Sequence, residues 1–185
     1  MNAQSKLPSR LHHNAWTVKN LETTRQFYED MLGLPLVATW CEKTDLFGKE
    51  REYCHCFFGI GDESALAFFQ FANSDDDAEF NPADNAISGF RHIALKVEQD
   101  HQDELIQKVK DANYPQDKWY FLEHGYCHSL YIIDPDGLIV EFCTDHPDVD
   151  KINAEQLGKC HDELKRWLGG DHTPNNEQYH RDQAV

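Results

Sequence analysis

Basic residues are scarce in this chain: 17 Lys and Arg stand against 33 Asp and Glu, a formal net charge of −16 over 185 residues. With no basic patch to meet phosphates, nucleic-acid and anionic-membrane partners are excluded. Long apolar runs are missing too, since no stretch approaches the roughly 20 residues that a membrane-spanning helix needs. The opening MNAQSKLPSR has no apolar core and does not read as a secretory signal, so the cytoplasm is the expected compartment. CxxC pairs are absent. The six cysteines, Cys41, Cys54, Cys56, Cys127, Cys143 and Cys160, are scattered and are expected as free thiols. Cys54 and Cys56 read as same-face residues of one strand rather than as a soft-metal pair.

What the chain does contain is a repeat. LHHNAWTVKN (Leu11–Asn20) and GFRHIALKVE (Gly89–Glu98) both carry H-x-A-x-x-V, 79 positions apart. After the first copy, NLETTRQFYEDMLG (Asn20–Gly33) has an N-cap in Asn20, an apolar stripe through Leu21, Phe27, Tyr28 and Met31, and a closing glycine, which predicts a helix. Strand patterns follow at 36–41, 53–60 and 65–71. After the second copy the same order returns, with a helix at 102–112 and strands at 119–124, 129–133 and 138–144, the last two joined by the turn DPDG. The predicted organisation is a flexible arm (1–10), a first βαβββ module (11–72), an acidic linker (73–89) and a second βαβββ module (90–146). A C-terminal helix (147–170), with Leu157, Cys160, Leu164 and Trp167 on one stripe, precedes a disordered tail (171–185). The fold class is α+β, two tandem modules building a cup-shaped mixed sheet.

Strand alternation sorts the polar residues by face. Ile93, Leu95 and Val97 point under the helix, which leaves His92, Ala94 and Lys96 on the open side; His13, Ala15 and Thr17 do the same in the first copy. On the last strand Leu138, Val140 and Phe142 face the helix, and Ile139, Glu141 and Cys143 face away. His13, His92 and Glu141 therefore project from the helix-free side. Two imidazoles and one carboxylate form a set that holds Fe(II), Mn, Ni or Zn and leaves positions open. A single strand histidine is more often a satisfied polar residue; two at matching positions, with a glutamate ending the second copy, point to a site.

His12 is the rival of His13, but alternation turns it toward the helix. Aligning the strand ends AFFQF and LIVEF puts Gln70 on Glu141. His13 to Gln70 is then 57 positions and His92 to Glu141 is 49, with the eight extra residues falling in KTDLFGKERE (Lys43–Glu52). Tyr131 faces the cup as a hydrogen-bond or proton donor, with an ordinary half-buried strand tyrosine as the plain alternative. His124 is the better acid–base candidate of the pair His124 and His128, and an exposed loop histidine is the plain alternative. His55 also reaches the cup face.

LETTRQFYEDMLGLPL after a histidine strand, and SLYIIDPDGLIVEF before the end, resemble the vicinal oxygen chelate superfamily, which includes glyoxalase I, fosfomycin-resistance proteins and extradiol dioxygenases. The resemblance covers about residues 10–145. It implies that the paired modules form a cup around a divalent metal and that His13, His92 and Glu141 fall on ligand positions. EHGYCHSLYIIDPDGLIVE (Glu123–Glu141) resembles the extradiol signature at His124, Leu130, Tyr131, Asp134, Pro135 and Glu141. Three features depart from it: Leu122 stands where a small or β-branched residue is usual, the segment before the second ligand has no histidine, and the chain has two modules where many ring-cleaving enzymes have four. Glyoxalase I carries a fourth donor where this alignment has Gln70.

The leading expectation is an Fe(II) extradiol-type dioxygenase of small aromatic diols or related oxygenated compounds. The alternatives are a glyoxalase-like lyase or isomerase, or a thiol transferase, using Ni, Zn or Mn; a metal-free small-molecule binder is a further one. A small-molecule substrate and a homodimer are the expected partners.

Overall fold

The computed structural model describes residues 10–44, 50–72, 92–171 and 173–181. Almost all of the predicted arm, and the whole linker at 73–89, lie outside the described residues. The fold is α+β, with two open mixed sheets of four and five strands. The chain forms two compact units; among the described residues, one holds everything up to Ala72 together with Asp134–Gly137, and the other holds the rest.

The first unit has strands β1 (His13–Thr17), β2 (Leu36–Thr44), β3 (Arg51–Gly59) and β4 (Ala65–Phe71), in the order β1-β4-β3-β2. β1 pairs parallel with β4 and the other pairs are antiparallel. Helix α1 (Leu21–Arg25) starts as its sequence predicts, with the Asn20 side chain accepting a hydrogen bond from Thr23 N at 3.0 Å. It does not continue as a regular helix: Gln26–Met31 is a π-helical turn in which Leu32 N bonds Phe27 O at 3.0 Å. The wider turn brings Asp30 round to Arg25, whose guanidinium takes both of its carboxylate oxygens at 2.7 and 2.9 Å. Gly33, at φ 81°, ends it in a conformation that side chains disfavour. The predicted stripe still buries Phe27 and Tyr28, and the Tyr28 ring packs on Phe68 and Phe58 at 4.6 and 5.7 Å between centroids.

The second unit has β5 (His92–Lys96), helix α2 (Gln99–Asp111), β6 (Trp119–Glu123), β7 (Cys127–Ile133), β8 (Ile139–Asp145), helix α3 (Val149–Leu168) and β9 (His180–Arg181). Its sheet order is β5-β8-β7-β6-β9. β5 runs parallel with β8 and the remaining neighbours are antiparallel. Val140 and Phe142, which alternation turned toward the helix, are fully buried with Leu130 and Ile132 of β7 and Leu105 and Val109 of α2. One polar side chain joins them. Gln102 of α2 donates through Nε2 to the backbone oxygens of Phe142 (2.8 Å) and His128 (3.2 Å), tying the helix to two strands.

The C-terminal region differs from expectation. Leu157, Leu164 and Leu168 of α3 are exposed in the single chain. The tail expected to lack structure carries β9, paired with Leu122 and Glu123, and Arg181 lies over the Tyr120 ring at 5.1 Å. Its polar composition hid a pairing made by the backbone. Among the described residues, no helix is long and apolar enough to cross a membrane.

Candidate metal centre

β5 and β8 are adjacent and parallel, with His92 opposite Ile139 and Ala94 opposite Glu141. All four side chains share one face, so His92 reaches Glu141 diagonally, with Nε2 2.9 Å from Oε2. β7 lies on the other side of β8 and sets Tyr131 opposite Glu141. The Tyr131 phenol stands beside the Glu141 carboxylate, and its oxygen is 3.0 Å from His124 Nε2. Burial, and then the neighbouring Glu141 carboxylate, pushes the Tyr131 pKa well above its usual value, so the phenol holds its proton.

Local structure fixes these groups. His124 follows β6 in a tight turn closed by its own N–H to Cys127 O at 3.0 Å, with Gly125 at φ 80°. Asn176 donates to the His124 carbonyl at 2.9 Å, and the Tyr179 ring is 5.4 Å from the imidazole. Tyr120 stacks flat on Tyr131, with centroids 4.9 Å apart and 5° between planes. A cavity of about 610 Å³ opens beside His124, lined also by Tyr126, His146, Lys151 and Asn176. His128 points elsewhere and stacks on Phe121.

Four of the sequence-predicted residues, His92, Glu141, Tyr131 and His124, thus form one connected network in the second unit. His13 stands in the first unit, where its ring meets Phe57 and His55 edge-on at 5.4 and 6.1 Å. His55 is buried, stacked on Phe69 at 3.6 Å, and its Nε2 has no hydrogen-bond partner among the described residues. Burial, with a smaller contribution from His13, lowers its pKa.

Two expectations about the first unit are corrected. His12 does not turn away from His13: their Nδ1 atoms lie 2.8 Å apart. The reason is that β1 begins at His13, so strand alternation does not govern the residue before it. Nor is Gln70 the counterpart of Glu141. Ala15 pairs with Ala67 as Ala94 pairs with Glu141, so the equivalent position belongs to Ala67. Gln70, three residues on and on the opposite face, accepts a hydrogen bond from Leu21 N at 2.7 Å and anchors the start of α1. The spacings to compare are 54 and 49, and the first unit offers a methyl group where a fourth donor would stand.

The sequence reading passed over two thiols beside the carboxylate. Cys143 Sγ donates to Glu141 Oε1 at 3.1 Å, and Ser129 Oγ is 3.5 Å from both Cys143 and Cys127. The two thiols act on each other, Cys143 drawing Cys127 down and Cys127 pushing Cys143 up, with burial raising Cys143 further. The position of Cys143, two residues after Glu141, was a usable signal. Cys127 gave none, because its approach depends on a diagonal contact across the β7–β8 pair.

Glu141 is 5% exposed. Its partners among the described residues are an imidazole, a thiol and a phenol, while Lys96 on the same face is paired with Asp145 at 2.5 Å. A buried carboxylate surrounded by such donors fits a bound cation, which would neutralise it.

The model of the Glyoxalase/Bleomycin resistance protein/Dioxygenase superfamily matches residues 10–142. The chain belongs to this superfamily. It is 26% identical over 132 residues to a probable lactoylglutathione lyase of Vibrio parahaemolyticus, covering 71% of this chain and 88% of that one. It is 27% identical over 135 residues to a lactoylglutathione lyase of Neisseria meningitidis serogroup A, covering 72% and 88%. The solved structure of the trypanothione-dependent glyoxalase I of Leishmania major shares the fold, with a TM-score of 0.55, 20% identity, and 83% and 99% of the two chains covered. These relatives favour the glyoxalase-like alternative over the dioxygenase and give no support to iron in particular.

Proposed function

We propose that this protein is a metal-dependent lyase or isomerase of the glyoxalase type, acting on a small substrate that presents adjacent oxygens. His92 and Glu141 are two of the metal's ligands; His13, the counterpart of His92 in the repeat, is the candidate third donor, from the same chain or from a second copy. A bound divalent cation supplies Lewis acidity, polarising a substrate oxygen and stabilising the charge that develops there.

The observation that carries this reading is the connected series His92, Glu141, Tyr131, His124. Tyr131 keeps its proton and is therefore a hydrogen-bond donor or general acid rather than a base. His124, held from behind by Asn176, restores that proton and passes charge toward the cavity at its side. Tyr120, stacked on Tyr131, covers the phenol ring and limits water. Ala67 removes the fourth donor that the resemblance attaches to glyoxalase I, so the proposal is the reaction class and leaves the particular substrate open.

The test begins with protein stripped by a chelator and reloaded separately with Ni, Zn, Mn or Fe(II). Each form is assayed for thioester formation from glutathione and a 2-oxoaldehyde, and for oxygen uptake with catechols. Metal-dependent turnover without oxygen supports the proposal. Oxygen consumption restricted to the iron form, or turnover indifferent to metal, overturns it.

A further inference from the structure

The sulfur atoms beside Glu141 have no part in the chemistry described so far. Cys127, Glu141 and Cys143 each offer a ligating atom, and these atoms all lie within 4.8 Å of one another. Strand geometry produces the cluster. Glu141 and Cys143 are two apart on β8 and share a face; on antiparallel β7, Ser129 sits opposite Cys143, and Cys127 is one step diagonal to it. Ser129 is fully buried and its hydroxyl touches both sulfurs, which keeps them turned toward each other. Cys127 and Glu141 are each 5% exposed. Two sulfurs and a carboxylate thus border one small volume, while His92 Nε2 approaches the other Glu141 oxygen at 2.9 Å from outside that cluster.

We propose that Cys127, Glu141 and Cys143 together bind a thiophilic divalent cation of the Zn(II) or Cd(II) class. The inference rests on the functional reading for Glu141 as a ligand and adds two sulfur donors to it. Thiolates favour soft and borderline cations, whereas imidazoles and a carboxylate alone accept harder ones such as Fe(II) or Mn(II). A tetrahedral site with metal–sulfur bonds of about 2.3 Å spaces its donors about 3.8 Å apart. The Cys143–Glu141 separation of 3.1 Å and the 4.8 Å limit on the cluster straddle that value, so rotation about side-chain bonds brings these three donors to one ion and leaves a fourth position open. Each thiol gives its proton to solvent as its metal–sulfur bond forms, and no oxidant or reductant is needed.

The experiment uses the full chain, reduced, freed of metal by a chelator, and titrated anaerobically with Co(II). The expected result is a near-ultraviolet thiolate-to-cobalt charge-transfer band that saturates at one ion per chain and is abolished by added Zn(II). Cys143→Ser and Cys127→Ser should each remove roughly half of the band, and the double variant all of it. Cys143→Ala and Cys127→Ala repeat the series, and far-ultraviolet circular dichroism verifies the fold of each. Cys41→Ser and Cys54→Ser, at sulfurs in the other unit, should leave the band intact. Stoichiometric Co(II) without a charge-transfer band overturns the sulfur ligands alone and leaves the functional reading standing. A band that survives in the double variant also overturns the proposal, by placing the thiolate elsewhere. Absence of Co(II) uptake defeats both readings.

Discussion

His92 and Glu141 meet although they do not pair: His92 is opposite Ile139 on the neighbouring parallel strand, and the 2.9 Å contact runs diagonally to the residue two positions on. The small side chain of Ala94, directly opposite Glu141, leaves that diagonal open. A larger residue would stand between them. Ala94→Leu should therefore weaken metal binding while leaving both donors in the sequence. Glu141→Gln, which keeps the shape and removes the charge, should weaken it more. Disturbing groups that merely orient ligands costs about 10–100-fold in affinity, so both variants should lose at least about tenfold by competition with a chromophoric chelator. Unchanged affinity in Glu141→Gln would remove this carboxylate from the ligand set.

Tyr131 and His124 are separable by kinetics. Tyr131→Phe deletes the donor but keeps the ring that stacks on Tyr120. If the phenol donates in the transition state, kcat falls by about 10²–10⁴, while metal content stays at the wild-type level. His124→Gln keeps a donor near the phenol but cannot relay a proton, so an intermediate loss of kcat is expected, with a changed pH profile. Equal activity of Tyr131→Phe and wild type would reduce this tyrosine to a packing residue.

Much of this arrangement was readable because strand alternation is local. Once β5, β7 and β8 were recognised, the faces of His92, Tyr131 and Glu141 followed from parity. What parity does not supply is register. The end motifs AFFQF and LIVEF look alike, yet the paired backbones match Ala67, not Gln70, to Glu141. His12 escaped for a related reason, since one residue outside a strand is no longer bound by its alternation. Cys127 comes to Cys143 through tertiary pairing, and Gln102 reads as a surface residue of an acidic helix until its carbonyl partners are seen.

Gln102 gives the clearest stability test. It is fully buried, and its amide satisfies backbone oxygens on β7 and β8. Gln102→Leu keeps a comparable volume and leaves Phe142 O without that donor. Leaving a buried acceptor unsatisfied costs about 1–3 kcal/mol, so the denaturant midpoint should fall with an unchanged slope. A neutral or stabilising effect would show that the helix is held by its apolar contacts alone.

His55 makes the stability of the first unit depend on pH, with a sign that can be worked out. Burial, and then the neighbouring His13, lowers its pKa in the folded state below the ordinary 6.5, with Glu42 opposing weakly. The unfolded chain therefore binds a proton at higher pH than the folded chain does. Stability from neutral His55 is fully present above pH 6.5 and is lost as pH falls through that value toward the depressed folded pKa, below which no further loss accrues. The ring lies among Phe57 and Phe69, so His55→Phe replaces it with a group of similar shape that cannot titrate. Comparing denaturant midpoints at neutral and mildly acid pH, the wild type should lose more stability on acidification than His55→Phe. Other groups titrate in both proteins, so the difference between the two curves isolates this imidazole. Parallel curves would mean that the His55 pocket accepts the charged ring as readily as water does.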